Sequence, residues 1–207
     1  EAAGLSSADD IMAAARQAAL LQRLGVASAN AEGYLFPDTY LFARNTSADE
    51  VVAAMVSRFE AVYTAEFHSR ADELGLTRHE VVTLASIVEK ESGNVSEQPR
   101  IASVFHNRLG RGMRLESDPT VIFGLGDAFD GNLTRQHLVT PNPYNTYTMA
   151  GLPPGPIASP GETALKAVLF PEDSAYLFFV SKNDGSHYFS KTYAEHNRAV
   201  RRYQLSN

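Results

Sequence analysis

The sequence predicts an α+β fold, with a main domain built around an acid-bearing helix and a small antiparallel sheet. Three observations indicate it. Pairs of capping residues introduce segments whose apolar residues recur every three or four positions, as in helices. The aromatic stretches AYLFFVS and HYFSK near the C-terminus are typical of paired strands. The N-terminal part reads as helix plus short strands, so we expect a smaller subdomain over residues 1–70 and the main domain over residues 71–207.

Composition excludes several classes of protein. With 207 residues and 44% hydrophobic content, the chain can bury a sizeable core. Its 18 basic and 24 acidic residues give a net charge of −6. The chain has no run of basic residues to which a nucleic acid could bind. The absence of cysteine rules out disulfides, cysteine-ligated zinc and thiol nucleophiles.

The N-terminal part contains two predicted helices and a strand region between them. Ser7 with Asp10 predicts the start of one helix through residue 26, and Ser47 with Glu50 predicts the start of the second. Between them, the aromatic residues of EGYLFPDTYLFA surround Pro37, which favours strands interrupted by a turn.

The most informative helix lies in the segment LTRHEVVTLASIVEKESG. Thr77 is its predicted N-cap, Glu80 completes a capping box, and Gly93 is expected to end it in a left-handed conformation. An apolar stripe runs along one face, so the helix should be half-buried.

Two glutamates flank that stripe on different sides. At about 100° per residue, Glu89 lies on the Val82 and Ala85 side, whereas Glu91 lies on the Leu84 side. They should therefore have different surroundings, and at most one should belong to a site. A solvated acidic helix end is the alternative interpretation.

Long turn-rich segments follow this helix. They are rich in Asn, Ser, Thr, Tyr and Asp, and loops of such length in a compact domain tend to be functional. Amide, hydroxyl and aromatic groups together suit a sugar-binding cleft. We therefore expect a glycan ligand.

Seven strings in this order also resemble a known family: EGYLFPDTY, LASIVEKES, VFHNRL, GMRLESDPTVIFG, PYNTY, GLPPGPIASPG and EHNRAV. Together they resemble the endolytic murein transglycosylase family, also called YceG-like, over nearly the whole chain from Glu32. The resemblance implies a cofactor-free envelope enzyme that cuts nascent peptidoglycan strands, works beside peptidoglycan synthases (penicillin-binding proteins) and is anchored by one N-terminal membrane helix. The first residues, EAAGLSSADD, do not begin with Met, so we expect that anchor in a preceding region. No stretch of the chain approaches the roughly 18 apolar residues of a membrane span.

The catalytic acid implied by the resemblance is Glu89. A lytic transglycosylase can use a single carboxylic acid, because the attacking nucleophile is the C6 hydroxyl of the substrate's own N-acetylmuramic acid. Such an acid needs apolar surroundings that raise its pKa above about 4.3. Geometry alone does not separate Glu89 from Glu91, which lies nearer the apolar stripe and forms a Glu-Ser pair with Ser92.

The other candidate site residues are expected to bind substrate. Asp118 could instead form an Asp-Pro turn, and the Asn145–Tyr147 loop could use its polar groups to fix its own backbone. Family members commonly carry Gln where this chain has Glu116. The full set of binding candidates is Glu91, Glu116, Ser117, Asp118, Thr120, Asn145, Thr146 and Tyr147.

Two further motifs are expected to be structural. GLPPGPIASPG reads as a rigid wall. His187 and the run Glu195, His196, Asn197 lack the paired spacing of metal ligands, so we expect no metal there but helix capping or hydrogen bonds behind the cleft.

Two alternative functions stay open at this stage. A water-using muramidase would employ Asp118 or Glu116 as a second carboxylate. A peptidoglycan-binding module without catalysis would bind the same strands and leave them intact.

Overall fold

The computed structural model describes residues 6–205, so the predicted domains' outer ends, residues 1–5 and 206–207, lie outside the described residues. The fold is α+β, as predicted. The helices are α1 (Ala8–Ala14), α2 (Ala18–Arg23), α3 (Ala48–Val62), α4 (Ala65–Leu74), α5 (Arg78–Glu91), α6 (Gln98–Gly110), α7 (Asp118–Leu125), α8 (Arg135–Val139), α9 (Glu162–Leu169) and α10 (Tyr193–Gln204). The strands are β1 (Phe178–Ser181) and β2 (His187–Ser190).

The two strands form the predicted antiparallel hairpin, in which Phe179 pairs with Phe189. Helix α10 packs against this hairpin, and α6 contacts β1 from the side of the helical core. Within residues 6–205, every helix is too short or too polar to cross a bilayer.

The first predicted helix is interrupted in the structure. Ser7 and Asp10 form the predicted capping box, but α1 ends at Ala14 and α2 begins at Ala18. The carbonyl of Ala15 accepts a hydrogen bond from the Ala31 amide at 2.8 Å, a contact with the following loop. This tertiary contact bends the chain where the apolar pattern alone would continue the helix.

The predicted strands around Pro37 are wrong. The segment is irregular, and the aromatic residues before Pro37 pack onto helices. Tyr34 is buried edge-on to Phe59, with ring centroids 5.1 Å apart. The Phe36 amide donates to the carbonyl of Met55 in α3 at 3.4 Å, so it bonds to a helix and not to a strand partner. The aromatic pattern therefore predicted the wrong type of element.

Helices α3 and α4 join the N-terminal part to the core. Ser47 and Glu50 form the predicted capping box of α3. The predicted boundary at residue 70 falls inside α4, where Phe67 and Ala71 belong to the same buried cluster as the central helices. The two-domain division stays a prediction.

Helix α5 is the centre of the fold. Thr77 and Glu80 cap its start as predicted. Every side chain from Val81 to Val88 is buried, so the helix is enclosed over these two turns and is not merely half-buried. It packs against α4, α6, α7 and α9.

The predicted stop at Gly93 is wrong. Helix α5 ends at Glu91, and Ser92 adopts an extended conformation, with φ −128° and ψ 118°. The Ser92 hydroxyl donates to the Asn94 carbonyl at 2.8 Å and accepts from the Asn94 amide at 3.0 Å. A serine turn thus ends the helix directly after Glu91.

The GLPPGPIASPG segment forms a wall along α5, as expected. The amide of Ile157 donates to the Ser86 hydroxyl at 3.0 Å, which ties the wall to the helix. Gly33 lies between them with φ +84°, and a Cβ there would be 2.4 Å from Pro156. Only glycine fits this close approach.

Candidate active site

A polar cleft of about 320 Å³ opens at the C-terminal end of α5. Its walls come from α5, α6, the loop before α7, the start of α7, the 143–147 loop, β1 and α10. The lining residues are Glu91, Arg108, Leu115, Glu116, Asp118, Tyr147, Phe179 and His196. Three carboxyl groups and one buried arginine therefore face a common space.

Glu91 is the acid best placed in this cleft. Its Oε1 accepts a hydrogen bond from the Ser117 hydroxyl at 2.5 Å, and Oε2 has no hydrogen-bond partner within residues 6–205. Burial raises the pKa of the Glu91 carboxyl to about 7, and the negative charge of Asp118 adds to the rise. The Ser117 hydrogen bond and the charge of Arg108 act in the opposite direction. Glu91 can therefore hold a proton near neutral pH.

Ser117 is fixed by two buried threonines. Its amide donates to Thr146 Oγ1 at 3.0 Å, and its carbonyl accepts from Thr120 Oγ1 at 2.6 Å. The two threonine hydroxyls also bond to each other at 2.8 Å. Both threonines are fully buried, so they position Ser117 and do not line the cleft.

Arg108 supplies the positive charge of the cleft. Its Nε donates to the Leu177 carbonyl at 2.7 Å and its Nη1 to the Leu115 carbonyl at 2.7 Å. Glu116 Oε2 lies 3.5 Å from Nη1, and Glu116 has φ +52°, which is unusual for a residue other than glycine. The arginine is thus fixed by backbone carbonyls, and the Glu116 carboxylate lies loosely against it.

Asp118 and Tyr147 form a hydrogen-bonded pair on one wall. The Tyr147 hydroxyl donates to Asp118 Oδ1 at 2.6 Å. Burial, followed by this hydrogen bond and the charge of Asp118, raises the pKa of Tyr147. Tyr147 therefore stays a protonated donor, and both residues reach the cleft where sequence analysis expected substrate contacts.

The side chain of Asn145 fixes the backbone of its own loop, which was the alternative to a sugar contact. The residue is 1% exposed, and its Nδ2 donates to the carbonyls of His137, Leu138 and Thr140. Its Oδ1 accepts from the Tyr147 amide at 2.9 Å. With these bonds made, Asn145 acts by positioning Tyr147.

Glu89 lies outside the lining of the cleft. Its Oε2 accepts from the Gly161 amide at 3.4 Å, at the end of the GLPPGPIASPG wall where α9 begins. The two glutamates thus have different surroundings, as their helical spacing predicts. Of the two, Glu91 faces the cleft and Glu89 faces the wall.

The histidines lie in two different environments. His187 Nδ1 is 2.7 Å from Glu97 Oε2, an ion pair between the hairpin and the start of α6 when the histidine is protonated. His196 lines the cleft itself, whereas the sequence placed it behind the cleft. Glu195 caps α10, one of the roles expected for its motif. Among residues 6–205 there is no group of three or more His, Asp or Glu side chains arranged to hold a metal ion.

Sequence analysis missed four of the lining residues as site residues: Arg108, Leu115, Phe179 and His196. A signal existed for Arg108. It follows Ile101 and Phe105 at helical spacing, which places an arginine on the buried face of α6. A cation on a core-facing stripe needs dedicated partners, so such a residue is a candidate for a site. The other three are recognisable only once the chain is folded.

The fold and the site together define a class of protein: an α+β domain with a protonatable carboxyl group in an open polar cleft. The model of the YceG-like family matches residues 2–202, and the chain belongs to this family. The endolytic murein transglycosylase of Bacillus subtilis is 39% identical over 173 residues, covering 83% of this chain and 48% of the relative. That of Streptococcus pneumoniae strain D39 is 32% identical over 197 residues, covering 91% of this chain and 36% of the relative. The chain thus spans half or less of the length of these relatives.

A solved structure shares the fold. The crystal structure of a yceG-like protein from Listeria monocytogenes superposes with a TM-score of 0.85 at 34% identity. The match covers 94% of this chain and 68% of that protein. The architecture around α5 therefore belongs to a fold already observed in the family.

Proposed function

We propose that this chain is the catalytic part of a peptidoglycan lytic transglycosylase with Glu91 as its single general acid/base. The bond cleaved is the β-1,4 linkage between N-acetylmuramic acid and N-acetylglucosamine. The observation that carries the proposal is a carboxyl group with a pKa raised to about 7, set in a polar cleft with one oxygen unpaired within the described part of the chain. Two relatives named endolytic murein transglycosylases support the substrate class.

The first step is proton donation to the leaving group. Protonated Glu91 gives its proton to the bridging O4 of N-acetylglucosamine while the bond from that oxygen to C1 of N-acetylmuramic acid breaks. The raised pKa suits this step, because a general acid works best when its pKa lies near the operating pH. The Ser117 hydroxyl holds Oε1, which leaves Oε2 for proton transfer.

The second step forms the anhydro ring. The C6 hydroxyl of the same N-acetylmuramic acid attacks its own C1, and the Glu91 carboxylate accepts the hydroxyl proton. One C–O bond breaks, one C–O bond forms, and the acid recovers its proton. No water is consumed, and the new strand end is 1,6-anhydro-N-acetylmuramic acid.

The other cleft residues are proposed to bind the sugar. The Tyr147–Asp118 pair and Glu116 offer a hydroxyl and carboxylate oxygens to sugar hydroxyl and acetamido groups. Arg108 lies within the cleft as a fixed positive charge that can attract carbonyl or carboxylate oxygens of the substrate. Thr120, Thr146 and Asn145 support these contacts from behind.

This proposal differs from the implication of the resemblance, which gives the catalytic role to Glu89. The raised pKa of Glu91, its place in the cleft and the Ser117 contact favour Glu91, whereas the hydrogen bond to Gly161 gives Glu89 a structural role. The matched variants Glu91→Gln and Glu89→Gln change the same group two residues apart. We expect the first to abolish cleavage and the second to retain it, and the opposite result would return the catalytic role to Glu89.

A second candidate, a water-using muramidase, is favoured by the presence of Asp118 and Glu116 in the same cleft. Either could activate a water molecule in place of the C6 hydroxyl. Mass spectrometry of the products separates the two reactions, since hydrolysed ends are heavier by one water than 1,6-anhydro ends. Glycan binding without any cleavage would instead support a binding module.

The setting of the reaction is proposed from the substrate. Peptidoglycan lies outside the bacterial plasma membrane, so we expect the protein at the extracytoplasmic face. An N-terminal anchor and work beside peptidoglycan synthases are proposed from the family resemblance alone. Fractionation of cells that express the full-length protein tests the anchor. Release of the protein into the soluble fraction by osmotic shock alone would contradict it.

A further inference from the structure

A group of three rings, of which one is exposed and two are half-buried, lies beside the cleft, and we call it the Tyr193 platform. It consists of Phe178 in β1 and of Tyr193 and His196 in α10. The Phe178 and His196 rings stack with centroids 5.3 Å apart and planes at 26°. Tyr193 lies 5.9 Å from Phe178 and 6.3 Å from His196, and it is 65% exposed. An aromatic ring this exposed is available to a ligand.

The platform is continuous with the cleft. His196 belongs to both, because it stacks in the platform and lines the cleft together with Glu91. The Arg108 guanidinium, also in the cleft, lies 5.2 Å from the centre of the Phe178 ring. A ligand that leaves the cleft along this wall therefore passes directly onto the rings.

His196 also carries an unsatisfied polar atom. Its Nδ1 is buried and has no hydrogen-bond partner within residues 6–205. Burial, together with the charge of Arg108, lowers the pKa of His196, so the ring is neutral and offers one donor and one acceptor. A buried polar atom without a partner is costly, which sets this ring apart from an ordinary core histidine.

The backbone of Tyr193 is fixed by the start of a helix. Tyr193 is the first residue of α10, directly after Thr192, whose hydroxyl forms a capping box with Glu195. The helix start fixes the backbone of Tyr193, and its ring lies beside those of Phe178 and His196. The ring is therefore presented at a defined place beside the cleft.

We propose that the Tyr193 platform is a carbohydrate subsite, where the ring of Tyr193 packs against a sugar of the strand whose scissile bond lies at Glu91. The C–H face of a pyranose is apolar and matches an exposed aromatic ring, while its hydroxyl groups match the neighbouring imidazole. This inference rests on the proposed function, since it extends the same glycan beyond the cleft. One exposed ring beside a cleft is too small a surface for a protein partner, which would need a wider patch. A sugar chain that continues from the cleft fits it better.

The test uses peptidoglycan strands of increasing defined length as substrates for the wild type and for Tyr193→Ala. With long strands, we expect the substitution to raise KM by roughly three- to tenfold and to leave kcat nearly unchanged. The shortest strand that is still cleaved should show a much smaller effect, because it does not reach the platform. Tyr193→Phe should behave like the wild type, since it keeps the ring.

Tyr188→Ala is the matched control. Tyr188 is another exposed tyrosine, 41% exposed, but it lies in a separate groove with Tyr203, Arg198 and Arg202. We expect wild-type kinetics for it at every strand length. An unchanged KM for Tyr193→Ala on long strands, or the same loss at all lengths, would overturn the subsite. So would an equal loss in Tyr188→Ala.

A binding measurement separates this inference from the proposed function. Calorimetric titration of Glu91→Gln and of Glu91→Gln with Tyr193→Ala, using intact long strands, needs no turnover. Weaker binding in the double variant supports the subsite even if the wild type cleaves nothing. Equal binding by the two chains overturns the subsite even if the wild type is an active transglycosylase.

Discussion

Replacing Glu91 by Gln should stabilise the protein increasingly as the pH rises. The carboxyl has a pKa of about 7 in the folded protein against 4.5 as its ordinary value, so the folded state holds this proton more tightly than the unfolded state does. Stability from this group is complete below about pH 4.5 and is lost as the pH rises through about 7. Glutamine carries no proton to lose and is free of this effect.

The magnitude follows from the two pKa values. The difference between 4.5 and about 7, at roughly 1.4 kcal/mol per pH unit, amounts to about 3 kcal/mol. The free energy of unfolding of Glu91→Gln minus that of the wild type should therefore rise by about 3 kcal/mol between pH 4.5 and pH 8, and then level off. Urea denaturation followed by circular dichroism, repeated across this pH range, measures it.

Glu80→Gln provides a control of opposite sign. Hydrogen bonds from the Thr77 amide and hydroxyl lower the pKa of Glu80, so its carboxylate stabilises the fold above the ordinary pKa and loses that effect as the pH falls. Glu80→Gln should be less stable than the wild type at pH 7 and should approach it near pH 3. Parallel stability profiles for Glu91→Gln and the wild type from pH 4.5 to 8 would show that the pKa of Glu91 is not raised by folding, and would refute this prediction.

Three further predictions concern the cleft. The kcat/KM of the wild type should fall as the pH rises through about 7, because Glu91 must begin protonated; a profile that stays flat to pH 9 contradicts this assignment. Asn145→Ala should lower the free energy of unfolding by on the order of 2 kcal/mol in urea titrations, because three carbonyl groups lose their donor; an unchanged stability would point back to a sugar contact. Tyr147→Phe removes the hydrogen bond to Asp118 and should raise KM with a melting temperature close to wild type, whereas normal kinetics would exclude the pair from substrate binding.

The helices were predictable where local signals act alone. The capping boxes at Ser7, Ser47 and Thr77 depend on residues only three positions apart, and all three are present. The β1–β2 hairpin was predictable for a similar reason, since its strands are close in sequence and rich in aromatic residues. Errors arose where a distant contact decides the conformation. The Ala31 amide bonds to the Ala15 carbonyl where the first helix is interrupted, and the Phe36 amide, in the aromatic segment around Pro37, bonds to the Met55 carbonyl of α3.

Part of the candidate cleft could be located from the sequence, whereas the roles of its residues stay predictions. Ser117, Asp118 and Tyr147 converge on the cleft end of α5, in agreement with the loops chosen from composition. Helical spacing separates Glu89 from Glu91 but cannot tell which side is covered. Only the packed structure shows that the Ser117 loop meets Glu91 and the Gly161 turn meets Glu89.

Product analysis of the two glutamate variants tests the central proposal most directly. Peptidoglycan strands are digested with the wild type, Glu91→Gln and Glu89→Gln, and the new strand ends are identified by mass spectrometry. Loss of general acid/base catalysis costs at least about 10² to 10⁴ in rate, so Glu91→Gln should yield almost no new ends. The wild type and Glu89→Gln should both yield 1,6-anhydro-N-acetylmuramic ends. Substantial cleavage by Glu91→Gln, or hydrolysed reducing ends as the main wild-type product, would contradict the account.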